Sequence, residues 1–429
     1  MTHRVIHGDC IVKLRELASE GLLVDSVCTD PPYHLASIVA RLGHPGAAPI
    51  QSGATGVYAR SSQGFMGQQW DGGDVAFRAE TWRRVYDVMK PGAHLVAFSA
   101  TKGFHRMACA IEDAGFEIRD MIAWLYGTGF PKSHNLDDEG PWLGWGTALK
   151  PAIEPIVFAQ KPCSEDSVAA NVARWGVGAI NIDASRIPGS EKGKVGAGKL
   201  WSHYRGRDGE ASADRRYADR GATNFSAKPG PRGGDEKGRW PANVCHDGSD
   251  EVLSAFAEYG ERGALAPVHQ RSADKLRNVY RGSFAGNIDE AGSTFQGDTG
   301  TAARFFYSSK ASQGERIFEC RECGAHQIGK LNCGHADMRT HPTVKPLSLM
   351  EWLVSMVTPP GGLVLDPFAG TGTTAAAASK LGMQSLSIEA SPDHIRDIAV
   401  RLGLDPAEML AAHVAPFPVT QEQQGDMFL

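Results

Sequence analysis

Two short runs in this 429-residue chain carry residue types that can do chemistry together. The first is Asp30-Pro31-Pro32-Tyr33, directly after the apolar run Val24–Thr29. Its prolines stiffen the turn and supply carbonyls, Asp30 offers a carboxylate acceptor, and Tyr33 offers a π-face. Acceptors beside an aromatic platform suit an amino group on a planar base. The second is Asp366-Pro367-Phe368-Ala369-Gly370-Thr371-Gly372-Thr373-Thr374. There a strand ends in Asp, turns through two glycines and opens a helix, whose first N–H groups can face a carboxylate or phosphate. Glu389, 23 residues on, ends the next strand, where a ribose-binding acid belongs in a nucleotide-binding βαβ unit. No Gly-Lys-Ser/Thr follows, so this is not a P-loop, and Ala375 stands where the dinucleotide fingerprint has its third glycine. Each run alone has a plain alternative, a Pro-Pro turn or a ligand-free Gly-rich turn. Together they are specific.

The surrounding pattern must place both runs at the ends of strands. Val24–Thr29 reads as a strand, 77–89 as a helix ending at the break Lys90-Pro91-Gly92, and His94–Phe98 as the next strand. A helix over 103–114 closes at Gly115, followed by a strand over Phe116–Trp124. Near the C-terminus, 362–365 and 384–388 read as strands and 371–380 as an Ala-rich helix. Helix 392–401 has Ser391 as its expected N-cap and Pro392 at its first position. Alternation of this kind predicts an α/β fold with a mainly parallel sheet flanked by helices.

Between these regions, 186–239 holds 11 glycines, 13 Lys/Arg and 7 Asp/Glu, so it cannot bury much of its own surface. Trp201, Tyr204, Tyr217 and Phe225 are interleaved with Arg205, Arg207, Arg215, Arg216 and Arg220. The formal charge of the whole chain is −5, which excludes a histone-like basic binder. That sum hides a net +6 on 186–239 and −11 on the rest. Eight cysteines are too few for a disulfide scaffold. Three of them cluster as Cys320-x-x-Cys323 and Cys333-Gly334-His335, residue types that ligate zinc, with His326 or His341 as alternatives to His335. The plain alternative is a reduced, metal-free loop. No run approaches 18 apolar residues and the N-terminus has no apolar signal region, so a cytoplasmic, non-membrane protein is expected.

With both runs in hand, the chain resembles the DNA amino-methyltransferases that methylate adenine N6 or cytosine N4 with S-adenosylmethionine. The Asp-Pro-Pro-Tyr run precedes the Gly-rich run, which resembles the circularly permuted β class. Gly8-Asp9-Cys10 resembles the motif that contacts the cofactor adenine. Lys90-Pro91-Gly92 and Glu154-Pro155-Ile156-Val157 resemble central catalytic-domain motifs. His341-Pro342-Thr343-Val344-Lys345-Pro346 resembles the segment flanking the methionine part of the cofactor. Phe65-Met66-Gly67 with Trp70-Asp71, and 127–135, resemble phage and prophage members.

The resemblance implies a Rossmann-like methyltransferase fold with a large irregular insertion. It divides the chain into 1–162 as catalytic half, 163–319 as target-recognition insertion, 320–339 as zinc knuckle, 340–410 as cofactor half and 411–429 as a tail. Asp30, Pro31, Pro32 and Tyr33 would act on a flipped adenine in double-stranded DNA. Asp9, Cys10, His341, Thr343, Lys345, 366–374 and Glu389 would bind S-adenosylmethionine. Asp rather than Ser at position 30 is more similar to the adenine-N6 enzymes; cytosine N4, or an amine or amide of RNA or protein, remains open. Cytosine-C5 chemistry needs a Cys after proline, and Pro162-Cys163 lies outside the catalytic run. A homodimer is compatible with the family. Gln424–Leu429 resembles peptides that dock on bacterial sliding clamps, with Met427 in place of Leu.

Overall fold

The computed structural model describes residues 3–33, 74–127, 129, 136, 141–187, 238–261, 300–309, 312–335, 337–340 and 344–405. The chain divides into two units. One comprises Met1–Ser185, Asn243–Ser249 and Ser308–Leu429; the other comprises Arg186–Ala242 and Asp250–Tyr307.

In chain order the elements are β1 (His3–His7), α1 (Cys10–Ser19), β2 (Val24–Thr29), α2 (Ala79–Asp87), β3 (Met89–Phe98), α3 (Phe104–Asp113), β4 (Glu117–Leu125), β5 (Ile153–Gln160), α4 (Val168–Trp175), β6 (Val244–His246) and α5 (Asp250–Ala257). Then follow β7 (Tyr307–Ser308), β8 (Ile317–Cys320), β9 (His326–Ile328), β10 (Met338–Thr340), α6 (Leu347–Val357), β11 (Leu363–Asp366), α7 (Thr373–Lys380), β12 (Gln384–Glu389) and α8 (Pro392–Leu402).

The larger sheet has the order β1-β12-β11-β2-β3-β5-β4-β6-β7. Its first five strands run parallel, whereas β5 is antiparallel to both β3 and β4. The α/β, mainly parallel architecture expected from the sequence is therefore present. Central strands β2 and β11 are buried along their whole length, as parallel strands covered by helices on both faces must be. Leu14 and Leu17 of α1, Trp82 and Val85 of α2, and Met107 and Ile111 of α3 fill one core with Val27, Leu95 and Leu365. A smaller cluster joins Val5 and Ala369 to Ile395, Ile398 and Ala399 of α8. β11 leads through α7 to β12 on one side, while β2 leads toward β3 on the other. The chain therefore changes direction between β11 and β2, where α/β sheets open a ligand crevice at the carboxyl ends of their strands.

Two local expectations differ. Lys90-Pro91-Gly92 does not end α2, which stops at Asp87 with Val88 as its C-cap; it lies inside β3, which begins at Met89. The pairing with β2 shifts register between Val24 and Ser26, and such a bulge accommodates both proline and Gly92 at φ +82°. Ser391 occupies the N-cap of α8, but its side chain makes no capping bond; its backbone N–H donates to Glu389 instead.

β8, β9 and β10 form a separate antiparallel sheet in the order β10-β8-β9. In the other unit, Ile187 and Arg239 form an antiparallel bridge, Arg239 donates to the carbonyl of Arg304, and the Arg239 and Arg304 guanidinia lie over the Phe305 ring. Among the described residues no helix is long and apolar enough to cross a membrane.

Candidate active site

The two chemical runs, 336 positions apart from Asp30 to Asp366, meet at the carboxyl edge of neighbouring strands. Thr29 Oγ1 donates to Asp366 Oδ1 at 2.6 Å, and Thr374 Oγ1 donates to Asp366 Oδ2 at 2.6 Å. The Phe368 amide also donates to Asp366 Oδ1, at 3.1 Å. Asp366 is thus a buried hub whose donors come from β2, from the Gly-rich loop and from α7. Burial, opposed by those donors, pushes its carboxyl up to about 6.

The Gly-rich loop is held from both sides. Gly370 and Gly372 take φ of +52° and +77°, which only glycine adopts without cost, and Gly372 is the N-cap of α7. A Cβ at Gly372 would come within 2.9 Å of Ile398 Cγ1, so the position also needs the missing side chain. Glu389 Oε2 accepts from the Gly370 amide and Oε1 from the Ser391 amide, both at 2.8 Å. Arg401 of α8 donates to the Thr371 carbonyl at 2.8 Å.

Asp9 follows β1, whose last residue pairs with Glu389, and so lies at the same sheet edge. Its Oδ1 accepts from the amides of Ile11 and Val12, capping α1. Cys10 is buried, and burial pushes its thiol up to about 12.

Asp30-Pro31-Pro32-Tyr33 leaves β2 at this edge, and Lys345 comes to it from the segment before α6. Lys345 Nζ lies 2.7 Å from Asp30 Oδ2, 3.1 Å from Glu154 Oε2 and 3.0 Å from the Tyr33 hydroxyl, to which it donates. The Tyr33 hydroxyl donates in turn to Glu154 Oε2 at 3.0 Å, so its ring is fixed at its polar end. Lys345 also stands 4.9 Å from the Phe98 ring centre. Burial alone would lower its ammonium, but the Asp30 and Glu154 carboxylates outweigh that and hold it above the usual lysine value. Burial raises the Asp30 carboxyl, with Lys345 opposing. The other oxygen of Asp30, Oδ1, is buried and has no hydrogen-bond partner among the described residues. A buried acceptor without a donor is costly, and a ligand N–H would relieve it.

Glu154 belongs to this cluster although residue type alone did not single it out as a site residue. Its signal lay in Glu154-Pro155-Ile156-Val157, but its role depends on β5 running antiparallel, which brings the start of β5 beside Phe98 at the end of β3. The same reversal carries Cys163 to the opposite sheet edge, past Gln160 paired with His94, where burial raises its thiol. His341, Thr343 and Gln424–Leu429 lie outside the described residues, as do Phe65–Asp71. Cys320, Cys323, Cys333 and His335 come together on the smaller sheet and its loops. His326 does not join them; its Nε2 lies 2.7 Å from Asp397 Oδ1.

The family model described as DNA methylase, that of the N6/N4 methyltransferases, matches residues 24–401. Over 115 residues the chain is 30% identical to the type II methyltransferase M.HindIII of Haemophilus influenzae, a stretch covering 24% of this chain and 37% of that protein. Over 62 residues it is 39% identical to the type II methyltransferase M2.DpnII of Streptococcus pneumoniae, covering 14% of this chain and 23% of that protein. The chain thus spans well under half the length of these relatives. Among solved structures, the M1.HpyAVI–SAM complex is similar at 15% identity and TM-score 0.37, over 94% of this chain and 100% of that one. The cytosine-N4-specific PvuII DNA methyltransferase is similar at 12% identity and TM-score 0.38, over 96% and 92%.

Proposed function

The chain belongs to the N6/N4 DNA methylase family, and from that premise we propose that it transfers a methyl group from S-adenosylmethionine to the N6 amino group of an adenine flipped out of duplex DNA. The observation that carries this reading is Asp30: one carboxylate oxygen is held by Lys345, while the other is buried and lacks a donor among the described residues.

S-adenosylmethionine, when bound, supplies a methyl group already activated on a sulfonium. The residues at the carboxyl edge fit such a group. The Gly-rich loop and the first turn of α7 present backbone close to a ligand. Glu389 Oε2 accepts from the Gly370 amide, and Oε1 accepts from the Ser391 amide with His394 Nδ1 3.4 Å away; the remaining acceptor positions would take ribose hydroxyls. Asp9 lies at the same edge for the adenine end. Two acidic side chains, Asp30 and Glu154, face the single Lys345 ammonium, an acidic excess that favours a cationic donor.

An aromatic amino group is a poor nucleophile because its lone pair is delocalised into the ring. Asp30 Oδ1 and the Pro31 carbonyl would accept its two N–H bonds and favour a pyramidal nitrogen. Once methylated, that nitrogen must lose a proton, and Asp30 Oδ1 is the acceptor in place for it. Tyr33, fixed through its hydroxyl, would stack on the extruded base. With the methyl already activated, the remaining acceleration comes from positioning and fixed charge.

Expression in a host without adenine or N4-cytosine methylation, followed by mass spectrometry of the nucleosides, tests the reading. N6-methyldeoxyadenosine is expected. N4-methyldeoxycytidine would move the substrate to cytosine, and label transferred from S-adenosylmethionine only to RNA or protein would move it out of DNA. Asp30→Ala should lower turnover by about 10²-fold or more while S-adenosylmethionine still binds. Undiminished methylation by that variant would overturn the role of Asp30.

A further inference from the structure

The cysteine cluster lies outside the proposed reaction and is assigned by none of the similarities above. Sγ of Cys320, Cys323 and Cys333 and a ring nitrogen of His335 all lie within 4.8 Å of one another. Cys320 Sγ and His335 Nδ1 are 3.5 Å apart. A tetrahedral zinc ion with Zn–S near 2.3 Å and Zn–N near 2.0 Å needs ligand–ligand edges of about 3.5–3.8 Å. The cluster is therefore closed to within about an ångström of that tetrahedron, and all three cysteines are free thiols.

The backbone is shaped for the same purpose. β8 ends at Cys320, and the chain turns back at once: the Gly324 amide donates to the Cys320 carbonyl at 2.9 Å and the Cys323 amide to Cys320 Sγ at 3.5 Å. Gly324, directly after Cys323, has φ +70°, and Gly334, between Cys333 and His335, has φ +80°. Neither has any atom within 4 Å of where a Cβ would sit, so each glycine serves the turn rather than making room. Two turns thus aim two ligands each at a common point, with an N–H directed at a sulfur as in the outer shell of a thiolate centre.

The sheet that carries these turns is small, and its strands have three or four residues each. Such a sheet has little core of its own, the circumstance in which a structural metal supplies folding energy. It is also tied to the cofactor side of the site. Arg339 of β10 donates to Glu319 of β8 at 2.6 Å and to Asp397 of α8 at 3.0 Å, and His326 of β9 reaches the same Asp397. From the next turn of α8, Arg401 donates to the Thr371 carbonyl of the Gly-rich loop and, at 3.0 Å, to the Glu315 carbonyl just before β8.

We infer that Cys320, Cys323, Cys333 and His335 bind one structural zinc ion, and that this ion braces α8 and, through Arg401, the Gly-rich loop. Three thiolates and an imidazole select zinc over hard cations such as magnesium or calcium. The ion has no open position for chemistry.

Metal analysis of the full-length protein purified without chelator, together with cobalt substitution, tests this directly. About one zinc per chain is expected. The cobalt form should show tetrahedral d–d bands with thiolate charge transfer. Cys333→Ser should lower the zinc content at least tenfold and weaken S-adenosylmethionine binding severalfold. His335→Cys keeps four soft ligands and should retain both metal and binding, so it serves if Cys333→Ser proves insoluble. A protein with no zinc that takes up neither zinc nor cobalt while all its thiols are reduced would overturn the site. So would a disulfide within the cluster, or an octahedral cobalt spectrum. Zinc lost from Cys333→Ser with S-adenosylmethionine affinity unchanged would overturn the bracing role.

Discussion

Lys345 decides how the Asp30 carboxylate, the proposed proton acceptor, behaves. Burial raises Asp30, which keeps it basic enough to receive a proton, and the Lys345 ammonium opposes that rise. The proposed acceptor role needs Asp30 ionised, so activity should increase as pH rises through its titration. Replacing Lys345 by Met removes the largest influence that lowers Asp30 and leaves Glu154 nearby. The acid limb of the pH–rate profile should then move to higher pH, and turnover at neutral pH should fall by about 10²-fold. An acid limb that stayed in place or moved down would show that Lys345 does not set the state of Asp30. The sequence motifs singled out Asp30 and Lys345, but not their pairing: resemblance put Lys345 with the cofactor, and the fold sets its ammonium 2.7 Å from Asp30. Glu154 was visible only as part of a strand motif, because a glutamate at a strand end becomes a site residue only once the strand's direction is known.

At the scale of elements, the ends of β2 and β11 were legible because Asp30-Pro31-Pro32 and Asp366-Pro367 with the glycines after it stop or turn a ladder for local reasons. Pro91-Gly92, by contrast, sits inside β3 at a register shift. The reversal of β5 was not legible, since it depends on pairing with β3 and β4 rather than on its own residues. Asp366 illustrates a second limit. Residue type marked it as the start of a ligand loop but not its partners: it accepts from Thr29, Thr374 and the Phe368 amide, which ties β2, β11 and α7 together. Its carboxyl is raised by burial from 3.8 to about 6. The stabilisation from holding that proton is complete below about 3.8 and is lost as pH rises through about 6. The size is on the order of 3 kcal/mol. Asp366→Asn abolishes this titration. The unfolding free energy of the parent minus that of Asp366→Asn should therefore fall by that order between pH 4 and pH 7, measured by urea unfolding at each pH. A difference independent of pH would show that Asp366 is not raised in the folded protein.

For the whole molecule, net charge conceals how the charge is distributed. The chain sums to −5, yet 186–239 alone carries +6, with arginines set among aromatic residues. A solvated basic loop accounts for such a composition without any ligand. A DNA methylase offers a second account, in which the arginines meet phosphates and leave sequence reading to base-edge contacts elsewhere. Salt separates the two, because each neutralised phosphate releases counterions and contributes about −0.9 to the slope of log affinity against log salt. Replacing Arg205, Arg207, Arg215, Arg216 and Arg220 by Gln should flatten that slope by about 0.9 for every arginine that meets a phosphate. Fluorescence anisotropy of a labelled duplex between 50 and 300 mM salt would read this. S-adenosylmethionine affinity should stay at the parent value, since the proposed site for it is built from β1, β11, β12 and the loops after them. An unchanged slope would return 186–239 to the solvated-loop reading and move the phosphate contacts to the −11 remainder of the chain, where duplex binding would have to rely on local basic clusters within an acidic body.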